Sequence, residues 1–134
     1  MKLRYCEAFA RYGAKLRRGQ LSLCALAPDG SLVISLSEHK FTRGSRYIDR
    51  LSEGSNYRDR PGYRELAERL QEALTCQRPI RAVIAHPAKS HVDAAENAST
   101  RHKYFATSEL VGLVTQFDGD NFIVEFQRAR NGRT

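Results

Sequence analysis

The stretch PGYRELAERLQEALTCQRPIRAVIA, residues 61–85, contains the two elements that decide the fold. Pro61 suits the first position of a helix, and apolar residues then recur at helical spacing. They are Tyr63, Leu66, Ala67, Leu70 and Leu74. This pattern predicts an amphipathic helix over about 61–75 that packs on a sheet. Residues 80–85 are apolar on both faces apart from Arg81, which predicts a central strand.

Two predicted hairpins flank this helix and strand. Residues 21–26 and 31–36 are apolar runs joined by PDG, and Asp-Gly between two such runs is a strong hairpin signal. Residues 111–117 and 122–127 alternate in polarity around the turn DGDN. Each pair therefore predicts two antiparallel strands.

The remaining elements are shorter. RYIDRL, residues 46–51, predicts an exposed edge strand with Arg46, Ile48 and Arg50 on one face. Tyr47, Asp49 and Leu51 take the other face. Residues 102–107 predict a strand, and residues 108–112 a single turn capped by Ser108. Residues 4–13 predict a short N-terminal helix, with apolar residues at helical spacing before Gly13.

Together these elements predict an α+β fold. We expect a small, bent antiparallel sheet or partial barrel of five to six strands. The main helix, about 61–75, packs on it, and a short helix precedes it. The length of 134 residues fits one domain over 1–134, with a frayed basic tail over 128–134.

The chain is strongly basic, with a formal net charge of +7 and an isoelectric point of about 9.7. Arginine outnumbers lysine 17 to 5. Such a balance is typical of nucleic-acid-binding domains, and arginine suits bidentate phosphate contacts. Codon usage in a GC-rich genome is the alternative origin of this excess.

Cysteine usage and hydropathy predict the compartment. Cys6, Cys24 and Cys76 are widely spaced and odd in number, which argues against a disulfide scaffold and a zinc knuckle. The N-terminus carries charges where an export signal needs an apolar run, and no run is long enough to span a membrane. We expect a cytoplasmic protein without a membrane partner.

Basic and aromatic residues are concentrated in two segments, 15–18 and 39–60. Arginines contact phosphates, and tyrosines stack on unpaired bases or reach phosphate oxygens. The predicted nucleic-acid-binding residues are Lys15, Arg17, Arg18, Lys40, Arg43, Arg46, Tyr47, Arg50, Tyr57, Arg58 and Arg60. The alternative is a solvated loop whose tyrosines pack against the edge of the core.

No motif predicts catalysis, a metal or a cofactor. The chain lacks a P-loop, GxGxxG, GxSxG and HExxH. His86 and His91 share one segment and are interpreted as exposed histidines rather than metal ligands. DGDN is interpreted as a turn because it lacks the spacing of a calcium loop. The acidic strand of metal-dependent nucleases has the pattern D…E-x-K, which Asp120, Glu125 and Gln127 resemble loosely. Gln127 stands where that pattern has lysine.

The carboxylates of the main helix have a separate interpretation. Glu65, Glu68 and Glu72 stand at helical spacing beside Arg64 and Arg69. Because oppositely charged neighbours on a helix form ion pairs, we expect a solvated, salt-bridged face rather than an acid–base site.

Several stretches, in this order along the chain, resemble short bacterial proteins of plasmids and other mobile elements. They are AFARYGAKLR, PDGSLVISL, DRPGYRELAERL, RAVIA and DGDNFIVEF. The resemblance implies a bacterial DNA context and carries no fold, activity or site residue with it.

Three hypotheses of function follow. The first is a non-catalytic nucleic-acid-binding protein, with DNA favoured over RNA. The second is a protein-interaction module, for instance a mobile-element protein that inhibits a host protein acting on nucleic acids, because arginine and tyrosine are also enriched at protein interfaces. The third is a metal-dependent nuclease using Asp118, Asp120 and Glu125.

Overall fold

The computed structural model describes residues 4–42, 45–53, 57–86, 103–107 and 109–128. Its helices are α1 (Tyr5–Ala10) and α2 (Pro61–Cys76). Its strands are β1 (Cys24–Leu26), β2 (Leu32–Ser37), β3 (Arg46–Arg50), β4 (Ile80–His86), β5 (Lys103–Ala106), β6 (Leu110–Phe117) and β7 (Asn121–Arg128). Four short 3₁₀ turns connect them within these ranges: Gly19–Leu21, Glu38–Lys40, Leu51–Glu53 and Tyr57–Asp59.

Within the described ranges, the strands form one open sheet in the order β1-β2-β4-β6-β7-β3, and β5 also pairs with β4. The predicted α+β class with one main helix is confirmed, with seven strands where five to six were expected. The sheet is mixed where an antiparallel one was expected, because β2 and β4 are parallel, with Leu32 opposite Ile80. The chain between them contains α2, which serves as the crossover that parallel strands require.

The main helix has the predicted start and a slightly later end. Pro61 occupies its first turn, and Leu66, Leu70 and Ala73 are buried against the sheet. Gln77 ends the helix in the left-handed conformation with φ of 57°, and its main-chain N–H donates to the Ala73 carbonyl. The predicted amphipathic helix is therefore confirmed, one residue longer than expected.

Both predicted hairpins form. In the β1–β2 turn, the Asp29 carboxylate accepts a hydrogen bond from the Ser31 N–H at 2.9 Å. In the β6–β7 turn, the Asp118 carboxylate accepts from the main-chain N–H groups of Asp120 and Asn121. DGDN is thus a turn, as predicted. Residues 110–112 belong to β6 rather than to the expected turn, and Ser108 lies outside the described residues.

The two helices pack on opposite faces of the sheet. Leu32, Ile34 and Leu36 of β2 join the core beneath α2, whereas Val33 joins a second core beneath α1. The alternation of side chains along a strand explains this division. Tyr12, just after α1, donates its hydroxyl to the Ala82 carbonyl at 2.7 Å and so fixes α1 over β4.

Helix α1 covers β1, β2 and β4 on its face of the sheet. No described helix covers the same face of β6, β7 and β3. Leu113 and Ile48 are exposed there at 36% and 43%. We call this surface the open sheet face. It includes the side chains of Arg46, Ile48, Arg50, Leu113, Asn121, Ile123 and Glu125.

Candidate nucleic-acid interface

The segment that follows α1 packs against the first turn of α2. Gly62 is buried, and a Cβ atom added there would lie 2.2 Å from the main-chain oxygen of Leu21. Only glycine therefore fits this position without a shift of backbone. The contact brings the predicted binding residues of segment 15–18 to the start of α2.

Two of these residues share one carboxylate. Arg17 and Arg18 each place a guanidinium nitrogen 3.8 Å from an oxygen of Glu65, which is 9% exposed. The Oε1 atom of Glu65 is buried and accepts no hydrogen bond from the described residues. The main-chain N–H of Arg18 donates to the hydroxyl of Ser22 at 2.7 Å, which holds this segment beside the helix.

The carboxylates of α2 therefore differ in their exposure. The expected solvated face is wrong for Glu65, which is buried. Glu65 lies beneath segment 17–22 because that segment covers the helix at this turn. Glu72 fits the expectation, with ion pairs to Arg69 at 3.0 Å and to Arg78 at 3.4 Å. Glu68 is exposed.

Three further arginines lie at the start of α2. Arg60 precedes the helix, and its carbonyl accepts hydrogen bonds from the N–H groups of Tyr63 and Arg64. Arg64 extends back along the helix and donates from Nη1 to the Arg58 carbonyl at 3.0 Å. Arg58, Arg60 and Arg64 are all exposed, and the first turn of α2 contains no acidic residue.

We call these five residues the α2 basic cluster: Arg17, Arg18, Arg58, Arg60 and Arg64. Four of them were predicted from the sequence. Arg64 was missed, although its position four residues after Arg60 places it one helical turn further on. Lys15, also predicted, is exposed two residues before Arg17.

The two predicted arginines of β3 lie on the opposite face of the sheet from α2. Arg46 and Arg50 are exposed on the open sheet face, and Arg46 pairs with Glu125 at 3.2 Å. Tyr47 points the other way, as its place in the alternation predicted. The arginines of β3 therefore do not belong to the α2 basic cluster.

Tyr47 is a core residue, which corrects its proposed role as a contact aromatic. It is 1% exposed and its ring packs against Phe41 and Phe122. Its hydroxyl donates to Asp49 at 2.8 Å and accepts from the Ser37 N–H at 3.0 Å. Burial raises the pKa of Tyr47 far above its ordinary value. A ring held in this way is not accessible for stacking on a base.

The other predicted residues of segment 39–60 have different outcomes. Lys40 places its ammonium 2.8 Å from the Asp49 carboxylate, and this pair is mostly buried, so its charge is engaged inside the protein. Arg43 lies outside the described residues. The backbone of Tyr57 forms part of a 3₁₀ turn, and its side chain lies outside the description.

The carboxylates of the nuclease hypothesis are held by other contacts. Asp118 stabilises its own turn, and hydrogen bonds from the turn, that of Asp120 foremost, lower its pKa. Asp120 accepts hydrogen bonds from the N–H and hydroxyl of Ser52. Glu125 pairs with Arg46. Among the described residues, no three His, Cys, Asp or Glu side chains are grouped closely enough to hold a metal ion.

The cysteines carry free thiols. Cys6 and Cys76 are exposed, and Cys24 is buried. Burial, and then the nearby charge of Glu65, raise the pKa of the Cys24 thiol to about 12. Cys24 is thus a small core residue, whereas the exposed Cys6 and Cys76 are not.

Comparison with the models of known protein families, with curated proteins and with solved structures found no match to this chain. The resemblance to proteins of mobile elements therefore stays a prediction. None of the described helices is long and apolar enough to cross a membrane.

Proposed function

We propose that this protein binds nucleic acid through the α2 basic cluster, without catalysis, and that DNA is favoured over RNA. The observation that supports this proposal is the convergence of five arginines on the first two turns of α2. They come from two segments that are about forty residues apart in the sequence. Convergence of this kind distinguishes a binding surface from the even scatter that codon usage would produce.

The charge of the cluster suits a phosphate backbone. The cluster carries five positive charges, whereas segments 17–18 and 58–65 contain two carboxylates, Asp59 and Glu65, so positive charge dominates. The N-terminal end of α2 adds a partial positive charge, which no acidic residue in its first turn offsets. Exposed arginines on this surface form bidentate contacts with phosphates and place the protein on the nucleic acid without selecting a base sequence.

Two arguments favour DNA over RNA as the phosphate partner. Arginine also forks onto the major-groove edge of guanine in duplex DNA. The resemblance to proteins of mobile elements favours a DNA context. The free thiols of Cys6, Cys24 and Cys76 fit a reducing compartment, so we place the protein in the cytoplasm.

The test is equilibrium binding of the protein to labelled oligonucleotides of equal length: duplex DNA, single-stranded DNA and duplex RNA. Fluorescence anisotropy over a salt series from low to moderate ionic strength gives affinity and salt dependence. We expect tightest binding to duplex DNA, with a log–log slope of about −3 to −5 if four or five phosphates are neutralised. The absence of binding to every oligonucleotide at low salt would refute the proposal.

A matched pair of variants locates the contact. Arg60→Gln removes one charge from the α2 basic cluster and Arg128→Gln removes one from an exposed ion pair with Glu109. We expect Arg60→Gln to weaken binding severalfold and to reduce the salt slope by about one. Arg128→Gln is expected to leave both quantities unchanged within error. Equal effects of the two variants would indicate binding driven by net charge alone.

A further inference from the structure

The open sheet face is arranged in rows that cross β3 and β7. In the first row Arg46 lies directly opposite Glu125, and in the second Ile48 lies opposite Ile123. In the third row Arg50 lies opposite Asn121. Each row therefore places a side chain beside one that complements it in charge, polarity or hydrophobicity.

The free edge of β3 is largely closed to an added strand. Phe126 donates its N–H to the Ser45 carbonyl and Leu51 donates to the Asp120 carbonyl, so the odd-numbered residues bond to β7. The main-chain N–H and C=O groups of the even-numbered residues point to the free edge. There the Arg46 carbonyl accepts from Thr42, and the Arg50 N–H donates to the Asp49 carboxylate.

Phe41 also forms an isolated antiparallel bridge with Tyr47 on this side, so the described part of β3 offers no continuous run of unbonded main-chain groups at its edge. Because strand addition needs a run of such groups, a partner would pack on the face of the sheet rather than extend its edge.

We propose that the open sheet face packs against the same face of a second copy of this chain. The two-fold axis would lie in the interface, parallel to the strands and midway between β3 and β7. Such an axis places each β3 residue opposite its own β7 ladder partner in the second copy. Two sheets then pack face to face with nearly aligned strands.

Complementarity of charge carries this proposal. Under the two-fold axis, Arg46 meets Glu125 of the second copy and Glu125 meets Arg46, so two ion pairs form. Both side chains are about half exposed, at 53% and 48%, and are accessible to a second partner. Ile48 meets Ile123 twice in the centre, and Arg50 meets the amide of Asn121 at the end.

The neighbouring strand extends the fit. Leu113 of β6 lies next to Glu125 in the first row. The two-fold axis therefore places Leu113 of one copy beyond Arg46 of the other copy, on the far side of β3. An open pocket of about 420 Å³ lies beside the row of Arg46 and Glu125, lined by these two residues together with Thr42 and Ser45. The exposed side chain of Leu113 would lie at this pocket, which removes apolar surface from water.

A second copy suits this face better than a nucleic acid does. The centre is formed by aliphatic side chains, and the Glu125 carboxylate would repel phosphates. The face is narrow, because three strands spaced about 4.8 Å apart span only about 10 Å. We therefore expect a dimer weaker than those formed by standard-sized interfaces.

Sedimentation equilibrium of the full chain over a concentration series tests the proposal, with two charge-reversal variants. Arg46→Glu sets like charges against each other in both ion-pair positions of the dimer, and so does Glu125→Arg. We expect either variant alone to dimerise at least about tenfold more weakly than the native chain. An equimolar mixture of the two is expected to form a heterodimer, because opposite charges then face each other at both positions.

Several outcomes would overturn the proposal. The first is a monomeric native chain at all concentrations, and the second is a mixture of variants that forms no heterodimer. The third is loss of nucleic-acid binding in Arg46→Glu without any change in mass, which would assign the face to nucleic acid. Ile48→Glu provides an independent check, since it removes the apolar centre at an exposed position, and circular dichroism verifies that each variant is folded.

Discussion

The carbonyl oxygen of Leu21 lies so close to Gly62 that a Cβ atom at position 62 would approach it to 2.2 Å. This contact joins the segment after α1 to the first turn of α2. Both halves of the α2 basic cluster depend on it, because Arg17 and Arg18 belong to that segment and Arg60 and Arg64 to the helix.

The first prediction concerns this contact. Gly→Ala in a helix normally stabilises by about 0.5–1 kcal/mol. Gly62→Ala is instead expected to lower the free energy of unfolding by about 1–3 kcal/mol, because the added methyl group forces the backbone at Leu21 to move. Urea denaturation measures the change. Gln71→Ala, at an exposed position of the same helix, is the control and is expected to be neutral.

The second prediction concerns Glu65. Its carboxylate lies beside two arginines of the α2 basic cluster and would repel a bound phosphate. Glu65→Gln keeps the shape and removes the charge, so we expect the affinity for duplex DNA to rise by about two- to fivefold at low salt. Glu109→Gln removes an exposed carboxylate just before β6 and is expected to have no effect. A loss of affinity in Glu65→Gln would show that the carboxylate is needed to position the arginines.

The third prediction concerns stability at high pH. Burial holds the pKa of Tyr47 above that of an unfolded tyrosine, which is about 10. The folded state therefore keeps this proton while the unfolded state loses it, and the free energy of unfolding falls as pH rises above about 10. Tyr47→Phe is expected to lose about 1 kcal/mol at neutral pH, with its hydrogen bonds to Asp49 and Ser37. The free energy of unfolding of Tyr47→Phe should fall less steeply at high pH than that of the native chain.

The measurement is urea denaturation at a series of pH values between 7 and about 11. Burial also raises the pKa values of Tyr5 and Cys24, but both residues are present in the native chain and in Tyr47→Phe. The difference in the free energy of unfolding between these two proteins therefore reports Tyr47 alone. Parallel curves for the two chains would contradict the prediction.

The fourth prediction concerns the β6–β7 turn at low pH. Hydrogen bonds within the turn lower the pKa of Asp118 in the folded state. The stabilisation from its carboxylate is therefore present above the unfolded pKa of about 3.9 and is lost as pH falls through the lower folded value. Asp118→Ala is expected to be less stable than the native chain at pH 7 and to approach the native stability as pH falls through the lowered folded pKa. A difference that is constant with pH would indicate a purely conformational role.

Local patterns predicted most of the secondary structure. Pro61 and the apolar stripe defined α2, Asp-Gly defined the first turn, and alternation assigned the two faces of β3 correctly. Each of these depends on neighbouring residues in the chain. The parallel pairing of β2 with β4 was not predicted, because an apolar strand such as Ile80–His86 carries no local mark of its partner or direction.

The candidate site was predicted only in part for a related reason. Basic residues were recognised from composition, but their grouping depends on tertiary contacts such as that of Leu21 with Gly62. Glu65 has the same helical spacing as its exposed neighbours, and only the covering segment distinguishes it. Leu113 and Ile48 each lie in a strand whose residues alternate in polarity, as they also do in strands with a covered face. The sequence therefore did not indicate an uncovered sheet face.

The central claim is that the α2 basic cluster contacts nucleic acid. A titration of the isotope-labelled chain with duplex DNA, followed by amide chemical-shift changes, tests it most directly. We expect the largest changes in residues 17–22 and 57–65, with small changes in β3 and β7. The largest changes on the open sheet face, or no saturable change at low salt, would contradict it.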